Sequence, residues 1–173
     1  MIVDDRITTY LHSLEMPDIP VIEEIEKEAL EAYVPIIRKE TQSFLKVLLT
    51  IQKPKRILEV GTAVGFSAVL MSHYMPKDGH IITIENYEKR IPVARANFAR
   101  AEKEDKITLL MSDNVLQDGD ITQSRFAVER RNRTIHSRMR EYLYELKHHE
   151  GLRTSILPLG DGVALSVKKE EEK

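Results

Sequence analysis

The sequence predicts an α/β fold in which helices flank a parallel sheet. Three short segments, Arg56–Val60, His80–Glu85 and Lys106–Leu110, are apolar and rich in β-branched residues, as strands are. The stretches between these segments carry apolar residues at intervals of three and four, which is the spacing of one helix face. Strands that alternate with helices are typical of a parallel, doubly wound sheet.

Helices are also predicted before the first strand. Residues 1–52 contain three apolar patterns with helical spacing, and Pro35 is placed in the first turn of the third helix. After the second strand, Asn86 is placed at the cap of a helix that runs to about Ala101. The amino-terminal part of the chain is therefore expected to be helical.

The carboxyl-terminal third predicts one long helix followed by a hairpin. The helix covers roughly Thr122 to His148, and two short strands follow on either side of Gly160-Asp161-Gly162. We expect one domain over residues 1–173, with a helical part at 1–52 and the sheet core at 56–168.

The composition excludes several classes of site. The chain has 173 residues and no cysteine, so a disulfide framework, a thiolate zinc site and a cysteine nucleophile are all excluded. No apolar run is long enough to cross a bilayer, and the start lacks the pattern of a signal peptide. We expect a cytoplasmic protein with no membrane partner. The net charge of −2 favours no class of partner.

The stretch "ILEVGTAVGFS", residues 57–67, reads as a strand, a turn and the start of a helix. Gly61 would let the backbone approach a ligand, and Gly65 would let the start of the helix pack tightly on the strand. A dinucleotide fingerprint needs Gly-x-Gly-x-x-Gly, whereas the spacing here is Gly-x-x-x-Gly. On the glycines alone, a turn without any ligand is a fair alternative.

Two acids favour a ligand without phosphate. Glu59 precedes the first glycine, and Glu85 ends the next strand, near the interval at which an acid binds ribose hydroxyls. Two carboxylates at one crevice would repel a diphosphate but suit a ligand that has both a ribose diol and a positive charge. S-adenosylmethionine (SAM) fits this description, and a nicotinamide cofactor fits it less well.

Four stretches resemble the metal-dependent class I O-methyltransferases, which include catechol and caffeoyl-CoA O-methyltransferases. They are "ILEVGTAVGFSA", "IITIENYEKR", "MSDNVLQDGD" and "ILPLGDGVALSVKK". Within this family the sequence is most similar to the bacterial branch that methylates 5-hydroxyuridine at the tRNA wobble position. The resemblance implies a Rossmann-like class I methyltransferase sheet. It also implies a homodimer, because the amino-terminal helices resemble the family's dimerisation region.

The resemblance implies a set of site residues. Asp113 and Asn114 would be catalytic metal ligands for Mg²⁺ or Mn²⁺, although the same pair could form a plain Asx turn. The implied contacts with SAM are Ile37, Glu59, Gly61, Gly65, Ser67 and Glu85.

The junction "KITLLMSDNV" departs from the family pattern. The family places a strand–helix segment, with a further metal-binding aspartate, between the strands that resemble its two halves. Here that segment is missing between Leu110 and Met111, although parallel strands need a crossover of about a dozen residues or more. Either the sequence omits part of a longer protein, which we favour, or the protein lacks its central strand. In the second case it would be a non-catalytic SAM-binding protein.

A run of arginines on the predicted long helix favours a nucleic-acid partner. The chain is otherwise slightly acidic, so clustered basic residues suggest contacts with the phosphates of tRNA. A solvated helix face is an equally good interpretation, and a small catechol or phenol could be the acceptor instead. The candidate RNA-binding residues are Arg130, Arg131, Arg133, Arg138 and Arg140.

Overall fold

The structure, a computed structural model, describes residues 5–111, 133–157 and 163–169. The chain forms two compact units, residues 1–113 and 114–173, and each is described by itself. The prediction of one domain over the whole chain stays a prediction.

The first unit contains five helices and three strands among its described residues. They are α1 Asp5–Ser13, α2 Pro20–Glu31, α3 Lys39–Gln52, β1 Arg56–Val60, α4 Phe66–Tyr74, β2 His80–Glu85, α5 Ile91–Arg100 and β3 Ile107–Met111. The second unit contains α6 Arg133–His148, β4 Leu152–Leu157 and β5 Val163–Lys168.

The three strands of the first unit form a parallel sheet in the order β1-β2-β3. Glu59 pairs with Thr83, and Glu85 pairs with Met111. Because the strands are parallel, their carboxyl ends meet at one edge of the sheet. The α/β class, the parallel sheet and the helices between its strands are confirmed.

One face of this sheet carries the core. Ile81 and Thr83 are fully buried, and Phe66 and Leu70 of α4 belong to the same core. Burying a side chain of this size stabilises the fold by about 1.5–3 kcal/mol. Ile82 points to the other face, where it is 38% exposed.

That second face is apolar and open to solvent in the described structure. Leu58 is 67% exposed and pairs with Ile82, and Leu110 is 46% exposed and pairs with Ile84, which lies on the same face two residues further along β2. A doubly wound sheet is normally covered on both faces. In the described part of the first unit, by contrast, one face of the sheet is covered and the other is exposed.

The junction between Leu110 and Met111 lies inside a single strand. The two residues follow each other in β3 and pair with Ile84 and Glu85 of β2. No strand–helix segment separates them, as the sequence predicts. Within the described residues, β1 pairs only with β2 and forms an edge of the sheet.

Two predicted helix starts are wrong. Helix α3 begins at Lys39 after an extended Arg38, so Pro35 lies in the segment before it rather than in its first turn. Helix α5 begins at Ile91 with a proline in its first turn, so Asn86 does not cap it. The backbone N–H of Asn86 donates to the Glu85 carboxylate instead.

The carboxyl-terminal hairpin is confirmed as an antiparallel pair, β4 with β5. Thr154 joins it to α6, because its hydroxyl donates to the Leu146 carbonyl at 2.6 Å and lies 2.8 Å from the Ser166 hydroxyl. Helix α6 covers the latter part of the predicted long helix, and residues 122–132 lie outside the described structure. None of the described helices is long and apolar enough to span a membrane.

An ion pair fixes the loop before α2 to α3 and α4. Lys46 Nζ lies 2.8 Å from Asp18 Oδ2, and the Tyr74 hydroxyl donates to Asp18 Oδ1 at 3.2 Å. Burial raises the pKa of Asp18, but the bonds from Lys46 and from the Ile19 N–H outweigh burial and hold this pKa below its usual value. The ionised carboxylate is therefore the form that stabilises the fold.

We expect Lys46→Met to lower the free energy of unfolding by about 1.5–3 kcal/mol at pH 7, the range for a hydrogen bond to a charged group. Because the pKa of Asp18 is lowered, its contribution is present above its unfolded pKa and is lost as pH falls through the folded pKa. The difference in free energy of unfolding between the wild type and Lys46→Met, measured with urea, should therefore be smaller at pH 3 than at pH 7. Lys55→Met, which breaks an exposed pair with Asp78, is the control and should change little.

Candidate cofactor-binding site

The turn between β1 and α4 has an unusual backbone. Gly61 has φ +97°, Ala63 has φ +49° and Gly65 has φ +81°. Residues with a side chain adopt this left-handed region at a cost of about 1–2 kcal/mol. Glycine adopts it without that cost, so Ala63 is the residue of this turn that needs strong local contacts to stay in place.

The N–H groups of this turn donate within the protein. Those of Gly61 and Thr62 bond to the Ile84 carbonyl at 2.9 and 3.1 Å, and that of Gly65 bonds to the Thr62 carbonyl at 2.8 Å. The N–H of Ala63 donates to Glu85 Oε2 at 2.6 Å. A phosphate-binding loop offers its N–H groups to the ligand, whereas these four are already used. Four of the five N–H groups of residues 61–65 are therefore not free to bind a phosphate.

Glu85 stands at the centre of this edge of the sheet. Its Oε1 accepts the N–H groups of Asn86 and Tyr87, each at 2.9 Å, while its Oε2 accepts that of Ala63. The residue is 6% exposed. Its position at the end of β2 is the one predicted, and its carboxylate is held in a fixed orientation.

Glu59 is held by hydroxyl groups. Ser67 Oγ donates to Oε1 and Thr83 Oγ1 donates to Oε2, both at 2.5 Å. Thr83 Oγ1 also lies 2.7 Å from Thr62 Oγ1, and both threonines are buried. These groups form a continuous polar chain from the turn through β2 to β1.

The environment raises the pKa of Glu59. Burial is the largest cause, and the negative charge of Glu85 adds to it, while the bonds from Ser67 and Thr83 act against it. The two acids are therefore close enough to interact, as expected for carboxylates that face one crevice. A positive group placed beside Glu59 would lower the cost of ionising it.

The two glycines have different surroundings. A Cβ on Gly65 would lie 2.5 Å from Phe98 Cε1, so α5 packs directly on this residue. The sequence predicted that the start of the helix packs tightly on the strand at Gly65. The close neighbour of Gly65 is instead Phe98 of α5. At Gly61 a Cβ would meet no atom within 4 Å, so open space lies above the residue.

Ile37 lies in the segment before α3 and is half-buried. Its carbonyl accepts Gln42 Nε2 at 3.0 Å, and the same amide donates to Glu26 Oε1 at 2.8 Å. Lys39 Nζ lies 2.5 Å from the other oxygen of Glu26. The segment that carries Ile37 is thereby fixed to α2 and α3.

The predicted metal and RNA residues are described only in part. Asp113, Asn114, Arg130 and Arg131 lie outside the described residues. Arg133, Arg138 and Arg140 belong to α6, and Arg140 is exposed. Among the described residues, no three His, Asp or Glu side chains are grouped as a metal site would require.

Sequence reasoning missed Thr62, Thr83 and Asn97. Thr83 is a polar residue at a buried position of an otherwise apolar strand, a signal that could have revealed it. Asn97 of α5 donates to the Val64 carbonyl in the turn at 2.7 Å. No local pattern connects a helix residue to a turn that lies 33 positions earlier.

The sequence profile of the O-methyltransferase family matches residues 12–116. That match spans more than half of the chain and includes the turn and both acids. The chain belongs to the O-methyltransferase family.

Two curated relatives from this family carry the same name. A catechol O-methyltransferase from Niastella koreensis is 41% identical over 58 residues, which are 34% of this chain and 26% of the relative. A catechol O-methyltransferase from Mycobacterium tuberculosis is 28% identical over 107 residues, which are 61% of this chain and 49% of the relative. The chain thus spans about half or less of the length of these relatives.

Solved structures of the family share the fold. A candidate caffeoyl-CoA O-methyltransferase from Staphylococcus aureus is 22% identical with a TM-score of 0.73, and the alignment covers 95% of this chain and 98% of that one. An O-methyltransferase from Bacillus cereus, solved with S-adenosylhomocysteine (SAH), is 17% identical with a TM-score of 0.70, covering 95% and 97% of the two chains. At these identities the likeness establishes the fold.

The raised pKa of Glu59 makes a prediction about stability. The folded protein releases this proton at a higher pH than the unfolded chain, so stability falls as pH rises through that interval. Glu59→Gln has no carboxyl group to titrate at this position, so its stability should not fall in this way. We expect the free energy of unfolding of the variant, measured by urea titration, to increase relative to that of the wild type as pH rises from 4 to 8. A difference that stays constant with pH would contradict the assignment.

Proposed function

We propose that this protein is a SAM-dependent O-methyltransferase that acts on the 5-hydroxyl of 5-hydroxyuridine at the wobble position of tRNA. The observation that carries the methyl donor in this proposal is the turn at residues 61–65. Its N–H groups at Gly61, Thr62, Ala63 and Gly65 donate within the protein, and two interacting carboxylates lie beside it.

These features fit SAM better than a phosphate-bearing cofactor. SAM carries a sulfonium and an ammonium, which Glu59 and Glu85 would attract, and a ribose diol, which a carboxylate can bind through two hydrogen bonds. The open space above Gly61 leaves room for the ligand to approach the backbone. A diphosphate would meet two acids and no free N–H among the four described donors of the turn.

Methyl transfer to a hydroxyl is a single displacement. The acceptor oxygen forms a bond to the methyl carbon as the carbon–sulfur bond breaks, and the electron pair of that bond goes to sulfur. The sulfonium becomes the neutral thioether of SAH, and the acceptor hydroxyl releases its proton. The residues of this chain would orient the cofactor for the reaction. Glu85 would hold its ribose, and Glu59 would hold the part of the cofactor that lies away from Glu85.

A metal would complete the site at the edge where β3 ends. Asp113 and Asn114 follow Met111 by two and three positions, and Met111 pairs with Glu85 at this edge. Their side chains supply hard oxygen donors, which suit Mg²⁺ or Mn²⁺. A divalent cation bound there would lower the pKa of the acceptor hydroxyl.

The tRNA acceptor is supported by motif resemblance and by the arginine run. Helix α6 carries Arg133, Arg138 and Arg140, and Arg140 is exposed. Basic residues on an otherwise acidic chain suit the RNA backbone. An unpaired anticodon base can be turned out of its stack into a protein site.

A small catechol acceptor is the second candidate. It is favoured by the names of two curated relatives, both catechol O-methyltransferases. The turn and its two acids would serve either acceptor equally, because they contact the methyl donor.

A homodimer is part of the proposal. Helix α1 and the residue after it expose Ile7, Tyr10, Leu11 and Leu14, with exposed fractions of 53%, 64%, 44% and 58%. A contiguous apolar patch on a protein surface is a mark of an interaction site. A second copy of the chain is the partner we propose.

Calorimetry tests the cofactor. SAH should bind with saturation and NADH should give no heat. Glu85→Gln should weaken SAH binding by about tenfold or more, since a neutral amide replaces a charged acceptor of the ribose hydroxyls. Glu104→Gln changes an exposed acid before β3 and is the control. NADH binding without SAH binding would overturn the proposal.

Transfer of labelled methyl groups tests the acceptor. Purified protein with labelled SAM should label bulk tRNA, and EDTA should stop the reaction. Asp113→Ala should abolish turnover while the affinity for SAH stays nearly unchanged, since this residue is proposed to bind the metal alone. Label in catechol but not in tRNA would favour the second candidate. Binding without any transfer would leave a non-catalytic SAM-binding protein.

A further inference from the structure

Helix α5 reaches the turn at residues 61–65 through one buried side chain. Asn97 is 6% exposed, and its Nδ2 donates to the Val64 carbonyl at 2.7 Å. Val64 lies between Ala63 and Gly65, the two residues with left-handed backbone in the second half of the turn. The bond therefore acts where the backbone is least favourable.

The orientation of the Asn97 amide is fixed from its other end. Arg100 Nη2 donates to Asn97 Oδ1 at 3.0 Å, and the same guanidinium forms two bonds to Glu28 of α2, at 2.7 and 2.8 Å. A flipped amide would place its oxygen against the Val64 carbonyl and its NH₂ against the guanidinium. Neither contact is favourable, so Glu28 and Arg100 keep the donor pointed at the turn.

Two side chains thus hold the backbone of this turn from different elements. Glu85 of β2 accepts the Ala63 N–H, and Asn97 of α5 donates to the Val64 carbonyl. A ribose that binds Glu85 competes for the carboxylate that Ala63 uses. The bond from Asn97 does not use the Glu85 carboxylate, so it would keep the turn in shape while that carboxylate is shared.

We propose that Asn97 is a positioning residue for the cofactor, and that Arg100 and Glu28 act through it. The proposal rests on the proposed binding of SAM at this turn and extends it to residues that touch no ligand. Removing the Asn97 amide should let the turn relax and should weaken binding without changing the number of sites.

Calorimetric titration with SAH separates positioning from a merely structural role. A structural defect lowers the fraction of folded sites, so the stoichiometry falls while the Kd of the remaining sites is unchanged. A positioning defect raises the Kd at full stoichiometry. For Asn97→Ala we expect a Kd raised by about tenfold, which corresponds to about 1.4 kcal/mol, with unchanged stoichiometry.

A matched control removes a comparable bond elsewhere. Ser72 in α4 is 1% exposed and donates to the Val69 carbonyl at 2.7 Å, away from residues 61–65. Ser72→Ala should leave the Kd for SAH unchanged. An Asn97→Ala variant that keeps the wild-type Kd, or that loses only stoichiometry, overturns the proposal.

A second variant covers the case in which Asn97→Ala does not fold. Arg100→Met leaves the Asn97 amide in place but removes the donor that orients it, and the Arg100 side chain is 33% exposed, so folding should survive. Its Kd for SAH should rise by a smaller factor, and an unchanged Kd overturns the proposal. If the wild type itself binds no SAH, the proposed function fails, and that result is distinct from failure at Asn97 alone.

Discussion

The bond between the Ala63 N–H and the Glu85 carboxylate is the contact on which the site depends. It joins the end of β2 to the turn that follows β1, and it holds Ala63 in a left-handed conformation that alanine would not adopt alone. The same bond takes up a donor that a phosphate would need. One hydrogen bond thus sets the backbone of the turn and also removes one of its donors from any phosphate ligand.

The other contacts of the site are arranged around this bond. Glu59 stays in place because the Ser67 and Thr83 hydroxyls each donate a hydrogen bond to one of its two carboxylate oxygens. Such a carboxylate is costly to ionise away from water, and its pKa rises accordingly. Strain in the turn and a raised pKa in the strand beside it are typical of functional sites rather than of ordinary cores.

Local patterns in the sequence were enough for the elements and the two acids. Strands β1 and β2 are short apolar runs, and Glu59 and Glu85 stand at or near their ends, where parallel strands bring side chains together. Contacts across the fold were not predictable in this way. The pairing of Glu59 with Thr83 depends on strand register, and the bond from Asn97 to the Val64 carbonyl joins residues 33 positions apart. Neither fact is visible in a single stretch of sequence.

The uncovered face of the sheet has a consequence for handling the protein. Leu58 of β1, Ile82 of β2 and Leu110 of β3 form an apolar surface on one face of the sheet. Strand β1 is an edge strand in the described structure. An open edge next to exposed leucine and isoleucine is a template on which further chains can add strands. In the described structure, this edge is therefore the place where we expect chains to associate at high concentration.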